Sequence, residues 1–191
     1  MTEMRGKISE LFEYMDATRA SLLDCAREMN ESFAMIPPRE GEWSAAQNLA
    51  HLALVESNVA MMMEKIIGAA REQGVGPDQS EESFIKSLDK WRVPNPVSKL
   101  VSPARIAPDA GKPVRKSIES LEQTRARLKS IILENSDIDL ASIKRPHPVL
   151  GEIDMYQWVL FVAQHEERHR KQMERALAEV TERAAECAPI V

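Results

Sequence analysis

Four stretches of this 191-residue chain repeat their apolar residues with a helical period, and proline or glycine marks the breaks between them. No other feature constrains the fold as much. A 3.6-residue apolar stripe commits a segment to burying one face of a helix. The first stretch runs from about Thr2 to Met35, with Ile8, Leu11, Phe12, Met15, Leu22, Leu23 and Met29 on one broad stripe; Pro37 and Pro38 end it. The second runs from about Ala45 to Ala70. Ser44 is its expected N-cap, Gln47 completes an S-x-x-Q capping box, and Leu49, Leu52, Val55, Val59, Met62, Met63 and Ile66 are its apolar positions. Gly74 and Gly76-Pro77 stop it. The third spans about Val114 to Glu134 through Ile118, Leu121, Leu128, Ile131 and Ile132, and the fourth about Ile153 to Ala185 through Met155, Trp158, Val159, Val162, Ala176 and Leu177.

The connections are unequal. PPREGEW and NSDIDLASIKRPHPVLG are read as short loops, and residues 74 to about 111 form a long irregular passage. Within it SEESFIKSLDKW is expected to make one short helix, while VPNPVSKLVSPARIAPDAGKP holds five prolines and cannot be a long regular element. A loop of this length serves as a lid in some folds and only wraps the core in others. Four long helices without a strand or an internal repeat predict an all-α four-helix bundle, with the long connection between its second and third helices and one domain over residues 1–191. Glycine is scarce, at seven residues, as that fold class expects.

Charge narrows the partners. The formal net charge is -5 and no basic patch dominates, which argues against nucleic acid or an anionic membrane surface as partner. No apolar run approaches the roughly 18 residues of a membrane helix, and the N-terminus lacks the apolar core of a signal peptide. The expectation is a cytoplasmic protein acting on a small molecule. Cys25 and Cys187 stand near opposite ends, far from any CxxC pattern, and are expected to be reduced thiols.

The chemistry concentrates in histidine. The chain has four: His51, His147, His165 and His169. His165 and His169 stand at i and i+4 in HEERH, so their side chains lie one turn apart on the face that carries Trp158 and Val162. Two imidazoles on an inward stripe are costly unless hydrogen-bonded or ligated, and a metal resolves the cost because it binds the neutral ring. His51 shares a thin polar strip with Asn48 and Asn58 on the second helix. Alone it reads as structural; facing His165 and His169 across the core, it reads as a third ligand.

HEERH also fits the zinc-protease pattern, in which the glutamate is the general base. The rest of the chain does not. Only 22 residues follow His169, and they continue the same helix. Glu186, 17 positions on, would lie about 25 Å along it. The residues after His169 read RKQMERA and lack a further ligand motif. Glu166 is therefore expected at the flank of the bundle, solvated or orienting an imidazole. Glu56, Asn58, Gln172 and His147 are the side chains to check as a fourth ligand. Glu56 is about 140° around the helix from His51 and should face elsewhere. His147, between Pro146 and Pro148, is expected to shape the turn before the fourth helix. Trp43, Trp91 and Trp158 and the ten methionines read mainly as packing residues, with Trp43 pinning the loop before the second helix.

EWSAAQNLAHLALVE resembles the N-terminal signature of the DinB/YfiT-like superfamily, and HPVLGEIDMYQWVLFVAQHEERHRKQM resembles its C-terminal one. SPARIAPDAGKPVRKSIESLEQTRARL is similar to a weaker family pattern between them. Together they cover about Pro38 to Met173. The resemblance implies a four-helix bundle with a divalent metal (nickel, zinc, iron or manganese) held by His51, His165 and His169, and commonly a homodimer. It implies a thiol S-transferase in which the metal activates a low-molecular-weight thiol. It equally admits a hydrolase that activates water, or a non-catalytic module that binds metal or ligand in a stress response.

Overall fold

The computed structural model describes residues 6–96, 107–108 and 111–186. The remainder of the proline-rich passage lies outside the described residues, as does Cys187. Four long helices build the bundle: α1 (Gly6–Arg27), α3 (Ala45–Glu72), α4 (Val114–Glu134) and α5 (Met155–Glu186). A one-turn helix α2 (Glu31–Ala34) follows α1, and a hairpin of β1 (Lys144–His147) and β2 (Gly151–Asp154) precedes α5. α3 packs on α4 and α5, and α1 packs on α5 and, over a smaller area, on α4. No described helix is long and apolar enough to cross a membrane.

The element boundaries follow local chemistry. Ser44 accepts from the Gln47 N–H at 3.1 Å while Gln47 Oε1 accepts from the Ser44 N–H at 2.9 Å, the reciprocal box read from the sequence. Asp154 and Gln157 form a second such box at the head of α5, through bonds of 2.9 and 3.1 Å, so the helix begins two residues after Ile153. The first helix is shorter than its stripe predicts. Asn30 accepts from the N–H groups of Ser32 and Phe33 and caps α2, which divides the expected Thr2–Met35 segment after Arg27. The expected helix in SEESFIKSLDKW is replaced by turns and a single 3₁₀ turn, Asp89–Trp91.

The passage read as a plain loop before the fourth helix contains the hairpin. Its register pairs Lys144 with Asp154 and His147 with Gly151. Two features close its turn. Gly151 has φ 74°, which L side chains rarely adopt. His147 Nδ1 accepts from the N–H groups of Val149 and Leu150, both at 3.1 Å. His147 thus shapes the turn, as expected.

The long connection is tied down where it starts. Lys7 Nζ is 2.5 Å from Asp78 Oδ2, and both side chains are buried. The Tyr156 hydroxyl donates to the same oxygen at 3.1 Å, and the Phe84 ring stacks on Tyr156 with centroids 4.9 Å apart. Burial alone would raise the Asp78 pKa; Lys7, the Ser80 N–H and Tyr156 outweigh it and hold the carboxyl below its ordinary value.

The core falls into two parts. One gathers Ile8, Leu11 and Met15 with Met63, Ile67, Leu128, Ile132, Tyr156 and Val159. The other gathers Leu22, Leu49, Leu52, Ala53, Leu121 and Met173. Between them each long helix contributes a buried charge to one group: Arg19 from α1, Glu56 from α3, Arg125 from α4 and Glu166 from α5. Each carboxylate meets both guanidiniums. Glu56 lies 2.5 Å from Arg19 and 2.9 Å from Arg125; Glu166 lies 2.5 Å from Arg19 and 2.7 Å from Arg125. Thr18 donates to Glu166 at 3.2 Å, and the two arginines donate onward to the backbone carbonyls of Leu121 and Met15. Two positive and two negative charges close a neutral ring that touches all four long helices.

Candidate metal centre

His165 and His169 project from α5 toward α3, where His51 meets them. The ligand-capable atoms of the three residues lie within 4.8 Å of one another. His165 Nε2 and His169 Nε2 are 3.0 Å apart. The His51 ring centroid is 5.3 Å from that of His165 and 4.8 Å from that of His169. Two nitrogens about 2.1 Å from one ion are about 3.0 Å apart when they subtend roughly a right angle, so the pair on α5 already has ligand spacing. His51 and His169 are almost wholly buried, while His165 keeps partial exposure.

The electrostatics favour the ligand form. Burial pushes the His165 pKa well below its ordinary value, and the nearby His51, Arg168 and His147 push it in the same direction. Burial does the same to His169, helped by His165, His51 and Arg168. A ring that resists protonation keeps a lone pair free for a cation. Among the described residues no carboxylate joins the cluster, so the donor set is three imidazoles, a set that suits a divalent transition-metal ion.

Aromatic rings flank the histidines. Trp43 lies 4.8 Å from His51 and 6.2 Å from His169, nearly parallel to the latter at 21°. Phe161 stacks on His165 at 5.0 Å and 26°, and His147 stands edge-on to Phe161 at 4.4 Å. Trp43 is thus a wall of the cluster as well as part of the loop that the sequence had it pin. Burial drives the His147 pKa down to about 4. Its ring borders the cluster from beyond Phe161 without joining it.

Asn58 and Gln172, two of the side chains expected as possible fourth ligands, are half-buried. Glu56 faces away from the cluster, as its angle predicts, but points into the charge ring rather than to water. The expectation for Glu166 is corrected. It is 1% exposed and pairs with Arg19 and Arg125, so it is neither solvated nor bonded to an imidazole. The 100° that separates it from His165 on α5 turns it toward the charge ring.

Two contributors escaped the sequence reading. The charge ring is one; its signal was charged residues at stripe positions, Arg125 between Leu121 and Leu128 above all. Asn48 is the other. It was noted only as part of a polar strip, yet its Oδ1 lies 2.8 Å from His169 Nδ1.

A family model described as the DinB superfamily matches residues 8–173 of the chain. The chain is 26% identical over 154 residues to the uncharacterized protein YuaE of Bacillus subtilis (strain 168), spanning 77% of this chain and 84% of that protein. A crystal structure of TT2238, described as a four-helix bundle protein, superposes with a TM-score of 0.55 at 22% identity. That likeness covers 88% of this chain and 98% of the other, and it shows the shared fold.

Proposed function

The chain belongs to the DinB superfamily, and from that premise we propose that it is a metal-dependent thiol S-transferase whose divalent metal is held by His51, His165 and His169. The observation that carries the reading is the convergence of three imidazoles from two helices, two buried and one partly exposed, with no carboxylate of the described residues among them. Three neutral ligands leave positions on an ion open and its charge uncompensated, the arrangement of a catalytic site. When bound, the metal supplies a lowered pKa to a coordinated thiol, which is then thiolate at neutral pH.

The residues of the chain do the remainder. The three histidines would hold the ion, which would supply a thiolate to an electrophilic carbon. Trp43 and Phe161 keep the surroundings apolar, which suits a weakly hydrated thiolate better than hydroxide. His165 is the least buried of the three, so a small molecule would reach the cluster from its side. Sulfur forms the new bond to carbon, the leaving group departs with its electron pair, and the thiol proton goes to solvent.

The test reconstitutes chelator-treated protein with zinc, nickel or iron and supplies a low-molecular-weight thiol with an activated aryl halide. Thioether formation that requires the metal and is lost in His51→Ala is expected. Ester hydrolysis without any thiol, dependent on the same histidines, would replace the transferase with a hydrolase. Metal binding with neither turnover would leave a non-catalytic binding module. The homodimer implied by the family is part of the proposal, and sedimentation of the purified chain checks it.

A further inference from the structure

The hydrogen bonds around Asn48 decide which nitrogen of His169 carries its proton. Asn48 is 4% exposed and stands in the first turn of α3. Its Nδ2 lies 2.9 Å from the Ser44 carbonyl oxygen and 3.4 Å from that of Trp43. Carbonyl oxygens only accept, so the amide NH₂ faces them and Oδ1 faces the other way. Oδ1 is 2.8 Å from His169 Nδ1 and is itself only an acceptor. Nδ1 therefore donates. In a neutral imidazole Nε2 then keeps the lone pair, and Nε2 is the nitrogen 3.0 Å from His165 within the cluster.

We propose that Asn48 is a positioning residue: it locks His169 in the Nδ1–H tautomer and so presents Nε2 to a divalent cation. The proposal rests on the metal-centre reading given above. The anchor of the lock is the α3 cap. Ser44 is held by its box with Gln47, and its carbonyl, which also takes the Asn48 backbone N–H at 3.1 Å, fixes the rotation of the Asn48 amide. The N-terminus of one helix thereby sets the ligand chemistry of another. An amide in this place orients the ring without adding charge. An aspartate would accept the same bond and make the imidazole a stronger donor to the metal.

The experiment reads tautomer and affinity separately. Long-range ¹H–¹⁵N correlation on chelator-treated, ¹⁵N-labelled protein reports the protonated nitrogen of each imidazole, with His169 assigned by its loss in His169→Gln. Zinc affinity is measured by competition with a chromophoric chelator. Wild-type protein is expected to carry the His169 proton on Nδ1. Asn48→Ala is expected to mix the tautomers and to weaken zinc by about 10–100-fold. Asn48→Asp keeps the acceptor for Nδ1–H but not the amide donor to the Ser44 carbonyl, and a carboxylate accepts that proton more strongly, so it is expected to hold the Nδ1–H tautomer that Asn48→Ala loses, which a purely structural Asn48 does not give. A His169 proton on Nε2 in wild type or in Asn48→Asp, or unchanged zinc affinity in Asn48→Ala, overturns the proposal. Zinc that fails to bind wild-type protein with the Nδ1–H tautomer in place overturns the metal-centre reading instead.

Discussion

Removing the Glu166 carboxylate should cost the protein far more stability than its place in HEERH suggests. In the neutral ring, Glu166 contacts Arg19 at 2.5 Å and Arg125 at 2.7 Å and accepts from the Thr18 hydroxyl. Glu166→Ala leaves two guanidiniums, both at most 8% exposed at the side chain, facing the single carboxylate of Glu56. Removing one partner of a buried ion pair costs about 3–5 kcal/mol, because the remaining charge is left desolvated. Against a total stability on the order of 5–15 kcal/mol for a domain, that loss is large. Adding Arg125→Ala restores neutrality and leaves the Arg19–Glu56 pair. The double variant should then be more stable than the sum of the single losses implies, by about 0.5–3 kcal/mol. Urea unfolding of chelator-treated protein, followed by far-UV circular dichroism, measures this without a contribution from bound metal. A Glu166→Ala loss below about 1 kcal/mol, or additive losses in the cycle, would show that the four charges do not act as a buried unit. A glutamate serving as a protease base predicts the opposite pattern: lost turnover with stability retained.

Two other perturbations follow from the same structure. Lys7→Met strands Asp78 beneath Tyr156, and a loss of about 3 kcal/mol is expected in the same assay; wild-type stability would contradict a buried Lys7–Asp78 pair. His147 is neutral in the fold down to about pH 4, against an ordinary histidine value near 6.5. The unfolded chain binds its proton first, so the contribution of His147 is complete above about pH 6.5 and is lost as pH falls toward about 4. His147→Asn can still accept the turn N–H bonds, so metal-free His147→Asn should lose less stability than wild type between those pH values. An equal slope in both proteins would refute that assignment.

The bundle was legible because its four stripes are long and their breaks chemically sharp; Ser44 and Gln47 set a boundary that the structure keeps. The pairing of His165 with His169 was legible from spacing alone. What failed to show in one dimension depended on neighbours. Arg19, Glu56 and Arg125 interrupt apolar stripes and Glu166 reads as a flank residue, and only the facing helices turn the four into a closed ring. The hairpin was hidden because its strands are four residues each and one contains Pro146. The end of α1 was hidden because an apolar stripe continues through Met29 while Asn30 starts a new cap. Asn48 stood one turn before His51 in plain view, but its bond to His169 spans 121 positions of sequence.

The most direct test of the metal centre is the metal content of three proteins after identical reconstitution with zinc and removal of loose ions: wild type, His51→Ala and His165→Ala. The account predicts one tightly held ion per chain in the wild type and none in either variant, since each variant leaves two imidazoles where three converge. One ion per chain retained in His51→Ala would contradict it, because the ligand from α3 is what turns a pair of histidines on one helix into a site.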